Sequence, residues 1–411
     1  MSKRLLFVAE HVTVAQVVRL FMLARAAERA GHEVHFACAS FDPLVFQGES
    51  FRRWPITSLS PAEAEKRIQS GARVHDQATL ARYVDEERTL LDAVKPDLVI
   101  GDLRMSLSIS APVSKVRYAA LINAYWSPYA VRARYPMPDH PIVRMLGVEM
   151  AEKYFPIAMP KVFAHFAKPV NALRRKHRLP ELGTLAQVMT HGDLVLHPDV
   201  PSLVPTRGLP ASHVFLGPLA WSPDLPEPAS WASLGARPVV YVTLGSSGKQ
   251  GALPIVLDAL GGLDVDVILA TAGRAPSTGW PPNVRAEGLV PGQLAARRAA
   301  VVVSNGGSST GWQALAEGTP VVGVPFNLDQ YLATAAIVDA GAGLQVRAGS
   351  ATVDGVRAAV RAVLADERYR HAARRLAADL ARHDAPARFL SLVEGRAPRR
   401  LDEIGAGSSP A

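Results

Sequence analysis

Apolar residues along the chain collect in short continuous runs separated by longer amphipathic stretches. The runs at 5–9 (LLFVA), 33–39, 97–100, 119–122, 195–197 and 214–217 have the length of strands covered on both faces, as a parallel sheet flanked by helices requires. The rhythm resumes at 239–244, 267–271, near 284, at 299–303 and at 321–325. Between runs, apolar residues recur at helical spacing: Val17, Leu20, Leu23, Ala24 and Ala27 mark a helix over 17–30 that Gly31 ends. Further helices are predicted within 61–94 and at 253–260, 331–340, 351–364 and 367–383, and the stretch 143–173 is long, apolar and helix-compatible. Strands alternating with helices predict an α/β chain. The alternation occurs twice, because Pro218, Pro223, Pro226 and Pro228 mark a semi-rigid linker over 218–237. The expected division is a doubly wound domain at 1–217, a second at 238–383, a segment at 384–394, and a Gly-, Ser- and Pro-rich tail at 395–411 that predicts disorder.

The run at 299–303 breaks at Asn305-Gly306-Gly307, where a helix is expected to begin. Ser308, Ser309 and Thr310 are good N-cap residues, and Gly318 with Pro320 ends that helix after about two turns. Two glycines without Cβ let backbone N–H groups approach a ligand, and the helix start adds partial positive charge beside three hydroxyls. That composition suits a phosphate cradle. The plain alternative is a Gly-Gly-Ser turn that only joins strand to helix, since the segment has no Walker lysine and no GxGxxG spacing. Gly245, Ser246 and Ser247, at the end of another run, offer a second wall for one diphosphate. Asn327, Asp329 and Gln330 follow the next strand at the same carboxyl edge, where a carboxylate and an amide can hydrogen-bond sugar hydroxyls.

Residues 306–330 resemble the donor-binding segment of family-one glycosyltransferases of the GT-B fold, of the bacterial natural-product and macrolide type. The family pattern reads H-G-G-x-x-[ST]-x-x-E-A-L-x-x-G-x-P-x-[IV]-x-x-P-x-x-x-D-Q. The resemblance implies two Rossmann-like domains facing a central cleft, with a nucleotide-diphosphate sugar on the C-terminal domain and a small acceptor on the N-terminal one. It also implies inversion; the helix start and hydroxyls could take the place of a magnesium ion, so no metal and no further cofactor are expected. Asn305 stands at the place of a diphosphate-binding histidine and Gln313 at that of a ribose-binding glutamate. The loop VPGQL, with Val290, resembles the segment whose backbone receives the nucleobase, 143–173 corresponds to variable helices over the acceptor, and the helix at 386–393 to one that returns to the first domain.

The opening LARAAERAGHEVHFA resembles the family's start, where the loop after the first strand carries a histidine general base. Alignment on that helix puts Gln16 at the base position, and a glutamine cannot take a proton at neutral pH. His11, in the same loop, and Asp102, after the run at 97–100, are the two candidate substitutes. An aspartate near the latter place orients the family's histidine; here Asp102 has Gln16 and Arg104 as candidate partners, the role of base as another, and a helix N-cap as the plain alternative. Asn123, Tyr125 and Trp126 emerge from the carboxyl end of the run at 119–122 and are candidates to line an apolar or aromatic acceptor pocket.

Composition narrows the class. The formal charge of +8 is spread over many helices, and only RRKHR at 174–178 is dense. No aromatic residue interleaves with it, so a solvated helix face is expected rather than a nucleic-acid or lipid patch. The single cysteine, Cys38, excludes an internal disulfide and a cysteine metal cluster, and its apolar setting predicts burial. No GxGxxG with an acid downstream occurs, which disfavours a nicotinamide cofactor. No stretch reaches the length of a membrane span, and the five apolar residues before Glu10 are too few for a signal-peptide core, so the cytosol is the expected location. Two other functions stay open: a non-catalytic auxiliary partner of a glycosyltransferase, and an epimerase or hydrolase of nucleotide sugars.

Overall fold

A computed structural model describes residues 1–132, 134–244, 251–271 and 279–395. Gly245, Ser246 and Ser247, and the tail expected at 395–411 beyond its first residue, lie outside them. The first sheet contains β1 (Arg4–Ala9), β2 (Glu33–Cys38), β3 (Arg52–Pro55), β4 (Leu98–Asp102), β5 (Tyr118–Leu121), β6 (Leu194–His197) and β7 (His213–Phe215). The second contains β8 (Val239–Thr243), β9 (Asp266–Ala270), β10 (Val284–Glu287), β11 (Val301–Ser304), β12 (Val321–Gly323) and β13 (Gly343–Gln345). The spatial orders are 3-2-1-4-5-6-7 and 10-9-8-11-12-13, and every pairing is parallel. Each sheet grows outward in both directions from its first strand. The switch points therefore fall between β1 and β4 and between β8 and β11, and at such points the loops splay apart into a ligand crevice.

The fully buried strands are the ones their apolar runs announced; β3 and β13 are additions. Both are edge strands of mixed composition, half-exposed or exposed at most positions, so they carry no continuous apolar signal. The helix expected at 17–30 runs Val14–Arg29, starting a turn earlier because Thr13 and Gln16 form a capping box. Cys38 is fully buried, which pushes its thiol up to about 12. In the basic run at 174–178, Arg174 departs from the expected solvated face: it is buried and donates to the carbonyls of Pro180 (2.6 Å) and Ser108. Among the described residues no helix is long and apolar enough to cross a membrane.

The end of the chain returns to the first sheet. Helix Ala385–Val393 lies against helix Val14–Arg29, with Phe389 buried and its ring centroid 5.9 Å from that of Phe7. At the crossing, Gly217 has φ +99° and a Cβ there would sit 2.4 Å from His383 Cβ, so the outgoing linker and the returning chain touch through a residue that only glycine fits. Phe389→Ala is expected to lower the unfolding free energy by about 3–5 kcal/mol. Chemical denaturation measures this, and an unchanged midpoint would show that the last helix does not belong to the first domain's core.

Candidate active site between the two sheets

On the C-terminal side the site begins where β11 ends. Ser304 Oγ accepts the Gly306 N–H (3.1 Å) and Asn305 Oδ1 accepts the Gly307 N–H (3.2 Å), which folds the turn back on itself. Gly306 has φ +78°, and a Cβ would lie 2.3 Å from Thr334 Oγ1, so the turn needs glycine both for its dihedral and for the helix behind it. Helix Ser308–Ala316 follows with Gly307 as its N-cap, and no side chain caps it. Its first N–H groups, which have no partner within the helix, thus point outward beside the half-exposed Ser308, Ser309 and Thr310.

Helix Leu328–Asp339 supplies the next wall. Its N-cap Asn327 and Gln330 form a capping box: Asn327 Oδ1 accepts the Gln330 N–H (3.1 Å), and Gln330 Oε1 accepts from Phe326 (2.9 Å) and Asn327 (3.4 Å). Gln330 is buried, with its carbonyl engaged in local structure, whereas Asp329 in the same first turn is half-exposed. Asp329 Oδ1 accepts the Tyr125 hydroxyl (3.0 Å) and the Trp126 indole N–H (2.7 Å). The candidate acceptor residues and the candidate sugar-binding acid therefore touch, across the domains. Burial, and then the Asp329 charge, hold the Tyr125 phenol well above its usual range, so it remains a donor. Gln313 reaches across to the backbone carbonyl of Trp221 in the linker, and Val290 is buried beyond β10, beside the exposed Leu289.

The N-terminal wall corrects the expected partners of Asp102. This residue closes β4 opposite Ala9, and its two oxygens take a bidentate contact from Arg19 at 2.8 and 2.7 Å. Neither Gln16 nor Arg104 pairs with it, and the N-cap position of the following helix falls on Ser106, not Asp102, with no side-chain capping bond. Burial pushes the Asp102 carboxyl up to about 6 against the pull of Arg19, which leaves it ionised at neutral pH. The remaining Arg19 nitrogen donates to Asn123 Oδ1 (2.6 Å), Asn123 Nδ2 to Asp199 (2.8 Å), and Trp312 Nε1, from the other domain, to the same Asp199 oxygen (2.8 Å). Ser308 Oγ also reaches Asn123 Oδ1, at 3.5 Å. Arg19, Asp199 and the bridging role of Trp312 were not foreseen. For Arg19 a signal existed: a cation one helical turn before Leu23, at the edge of the face that the apolar spacing marks as buried.

Gln16 Oε1 accepts the N–H groups of Val12 (3.1 Å) and Thr13 (3.0 Å), a helix cap rather than a contact with Asp102. His11 is half-buried and turned to Ser40 (3.3 Å), and burial lowers its pKa, so it is neutral at pH 7. Arg104 lies between Glu87 (2.6 Å) and Glu10 (3.2 Å) over the Tyr83 ring. Burial alone would raise the Glu10 carboxyl, but Arg104, His75 and Ser58 outweigh it and hold it at about 2. Among the described residues no group of histidine, cysteine and carboxylate side chains is arranged to hold a metal ion.

Two parallel sheets whose switch-point loops meet across one cleft, with a glycine turn and uncapped helix start on one side, are the build of a GT-B glycosyltransferase. The chain belongs to the natural-product type of family-one glycosyltransferases. It is 45% identical over 377 residues, 91% of this chain and 88% of the relative, to a PGL/p-HBAD biosynthesis glycosyltransferase of Mycobacterium tuberculosis. It is equally identical over 377 residues, 91% of this chain and 84% of the relative, to a PGL/p-HBAD biosynthesis rhamnosyltransferase of Mycobacterium bovis. A further M. bovis relative, 44% identical over 261 residues (63% and 71% of the two chains), is described as an inactive PGL/p-HBAD biosynthesis glycosyltransferase. Residues 254–394 match the family described as Erythromycin biosynthesis protein CIII-like, C-terminal domain. The fold is that of the spinosyn rhamnosyltransferase SpnG, with TM-score 0.69 and 19% identity over 96% of this chain and 100% of that one. SpnG complexed with thymidine diphosphate aligns with TM-score 0.66 and 19% identity, over 95% and 100% of the two chains.

Arg19→Met leaves Asp102 buried without a partner and is expected to cost about 3–5 kcal/mol of unfolding free energy. Adding Asp102→Leu restores most of that loss; additive losses in denaturation experiments would show that the two side chains are uncoupled. Glu10 has a depressed carboxyl, so its contribution to stability is full above its usual value of 4.5 and disappears as pH falls towards about 2. In Glu10→Gln the acid limb of the stability curve should be shallower over that interval, as thermal melts across pH will record.

Proposed function

We propose that this glycosyltransferase moves a sugar from a nucleotide-diphosphate sugar to a hydroxyl of a small apolar or aromatic acceptor, with inversion and without a metal ion. One observation carries this: the Gly306-Gly307 turn and the start of helix Ser308–Ala316 face the other domain, where Ser308 meets Asn123 and Asp329 meets Tyr125 and Trp126. The difficulty in glycosyl transfer is the negative charge that builds on the departing diphosphate. N–H groups and hydroxyls fixed at a helix start stabilise that charge without reorganising, as a metal ion would. Asn305 spends its Oδ1 on the turn, which leaves its amide N–H₂ as the end to donate to a phosphate oxygen. Asp329 would take the sugar hydroxyls, in exchange for the Tyr125 and Trp126 donors it now holds. The backbone around Val290 would receive the base, and Gln313 the ribose.

The proton is the harder step. Both Asp102 oxygens are held by Arg19, Gln16 serves its helix cap and His11 turns to Ser40, so none of the three has the geometry of a poised base. This arrangement favours an acceptor whose hydroxyl needs little help, and a phenol, with a pKa of about 10, fits better than an aliphatic alcohol. Thymidine-diphosphate-rhamnose is the donor to test first, since one relative is named a rhamnosyltransferase and a structural neighbour is complexed with thymidine diphosphate.

The test is a panel of nucleotide sugars with phenolic and aliphatic acceptors, read by mass spectrometry with and without a chelator. Glycosylated phenol should form, with the anomeric configuration opposite to the donor's by NMR and with the chelator having no effect. Donor consumed without product would favour a hydrolase, and no donor binding by calorimetry a non-catalytic auxiliary role. Asp329→Ala should erase discrimination between sugars while nucleotide-diphosphate affinity changes by less than about tenfold, the value of roughly 1.4 kcal/mol. Equal loss of both would make Asp329 structural.

A further inference from the structure

We propose that the outward face of helices Pro141–Leu146 and Val148–Lys176 docks on the surface of an anionic lipid bilayer. A helix on the outside of a soluble protein keeps one apolar face inward and shows polar residues outward. The first half of helix Val148–Lys176 carries apolar residues on both. Ala151 is buried and Phe155 and Met159 are half-buried on the inner side, which Phe163, Ala167 and Val170 continue in the second half. Met150, Tyr154 and Ile157, at i, i+4 and i+7, form an opposite stripe that is exposed, with Ile157 at 76%. The preceding short helix adds Met145, at 83%, with Leu146 beside it. Most of the large exposed apolar side chains among the described residues fall in this one segment.

Charge selects the occupant. Lys161 and Lys168 continue the stripe at i+11 and i+18, and Lys153 flanks it, all exposed, while the outer face from Met150 to Lys168 carries no carboxylate. Glu152 points away, towards Arg347, at 3.7 Å. Apolar side chains that protrude singly, beside lysines whose stems can reach back to headgroups, are the signature of a helix lying in a lipid interface. The position also connects to the cleft. Phe163 of the same helix lies against Trp126, centroids 6.2 Å apart, and Trp126 donates to Asp329. An apolar acceptor taken from the bilayer would thus meet the site from behind the helix that holds the enzyme there.

Sedimentation of the full chain with vesicles tests this, using phosphatidylcholine alone and phosphatidylcholine mixed with phosphatidylglycerol. The protein should pellet with the anionic vesicles, less with the neutral ones, and less again in high salt. Met145→Ser with Ile157→Ser should weaken the binding by at least about tenfold, the loss expected for two buried apolar side chains. Lys161→Glu with Lys168→Glu should reduce it on anionic vesicles only. All four substituted side chains are exposed, so thermal melts should stay unchanged and confirm folding. Equal pelleting of wild type and both double variants would overturn the proposal, as would no pelleting at all. So would a concentration-dependent dimer in solution that the Met145→Ser/Ile157→Ser variant dissociates, since a second copy would then cover the face.

Discussion

Two carboxylates, Asp102 and Asp199, stand fully buried where the carboxyl ends of the first sheet meet the second domain, and the cleft depends on their being kept there. Removing an ionised carboxylate from water costs several kcal/mol even after relaxation. Arg19 meets that cost for Asp102 with two parallel N–H bonds, the geometry in which guanidinium and carboxylate interact most strongly. Its third contact, to Asn123, orients an amide whose other end serves Asp199. Asp199 is then satisfied from both domains, by the Ala124 N–H (2.5 Å) and by the Trp312 indole. A chain of charge-assisted hydrogen bonds thus runs from the first helix of the chain to the helix that begins at the glycine turn. Low dielectric makes each link strong and each missing link expensive, so the network defines how the two domains face each other.

The same network limits the chemistry. An aspartate that receives both oxygens' worth of hydrogen bonds from one guanidinium is a positioning anion and a poor candidate to take a proton. Burial nevertheless lifts its pKa to about 6, against the pull of Arg19. The leaving-group side is built differently, from backbone N–H groups and neutral hydroxyls at a helix start, which need no counter-ion and do not titrate.

Two glutamines at the third position of helices serve the same local task. Gln16 and Gln330 both return their side-chain oxygens to the backbone N–H of their own N-cap, after Thr13 and Asn327 respectively. That S/T/N-x-x-Q spacing is visible in the sequence as a capping signature. The family resemblance puts the same two positions at the place of a base and of a sugar ligand. Asp329, one residue earlier in its helix, points the other way and reaches the cleft.

Legibility followed the range of the interactions. The buried strands, the α/β class, the glycine turn and the helix start are set by local composition and periodicity, which the linear chain displays in full. Edge strands such as β3 and β13 were not, because half-exposed backbone pairing places few demands on side chains. The partner of Asp102 lay 83 residues away in Arg19, and those of Asp329 more than 200 residues away in Tyr125 and Trp126. A charge in isolation has many possible partners along a sequence. Only the folded chain, by excluding water and fixing distance, selects among them.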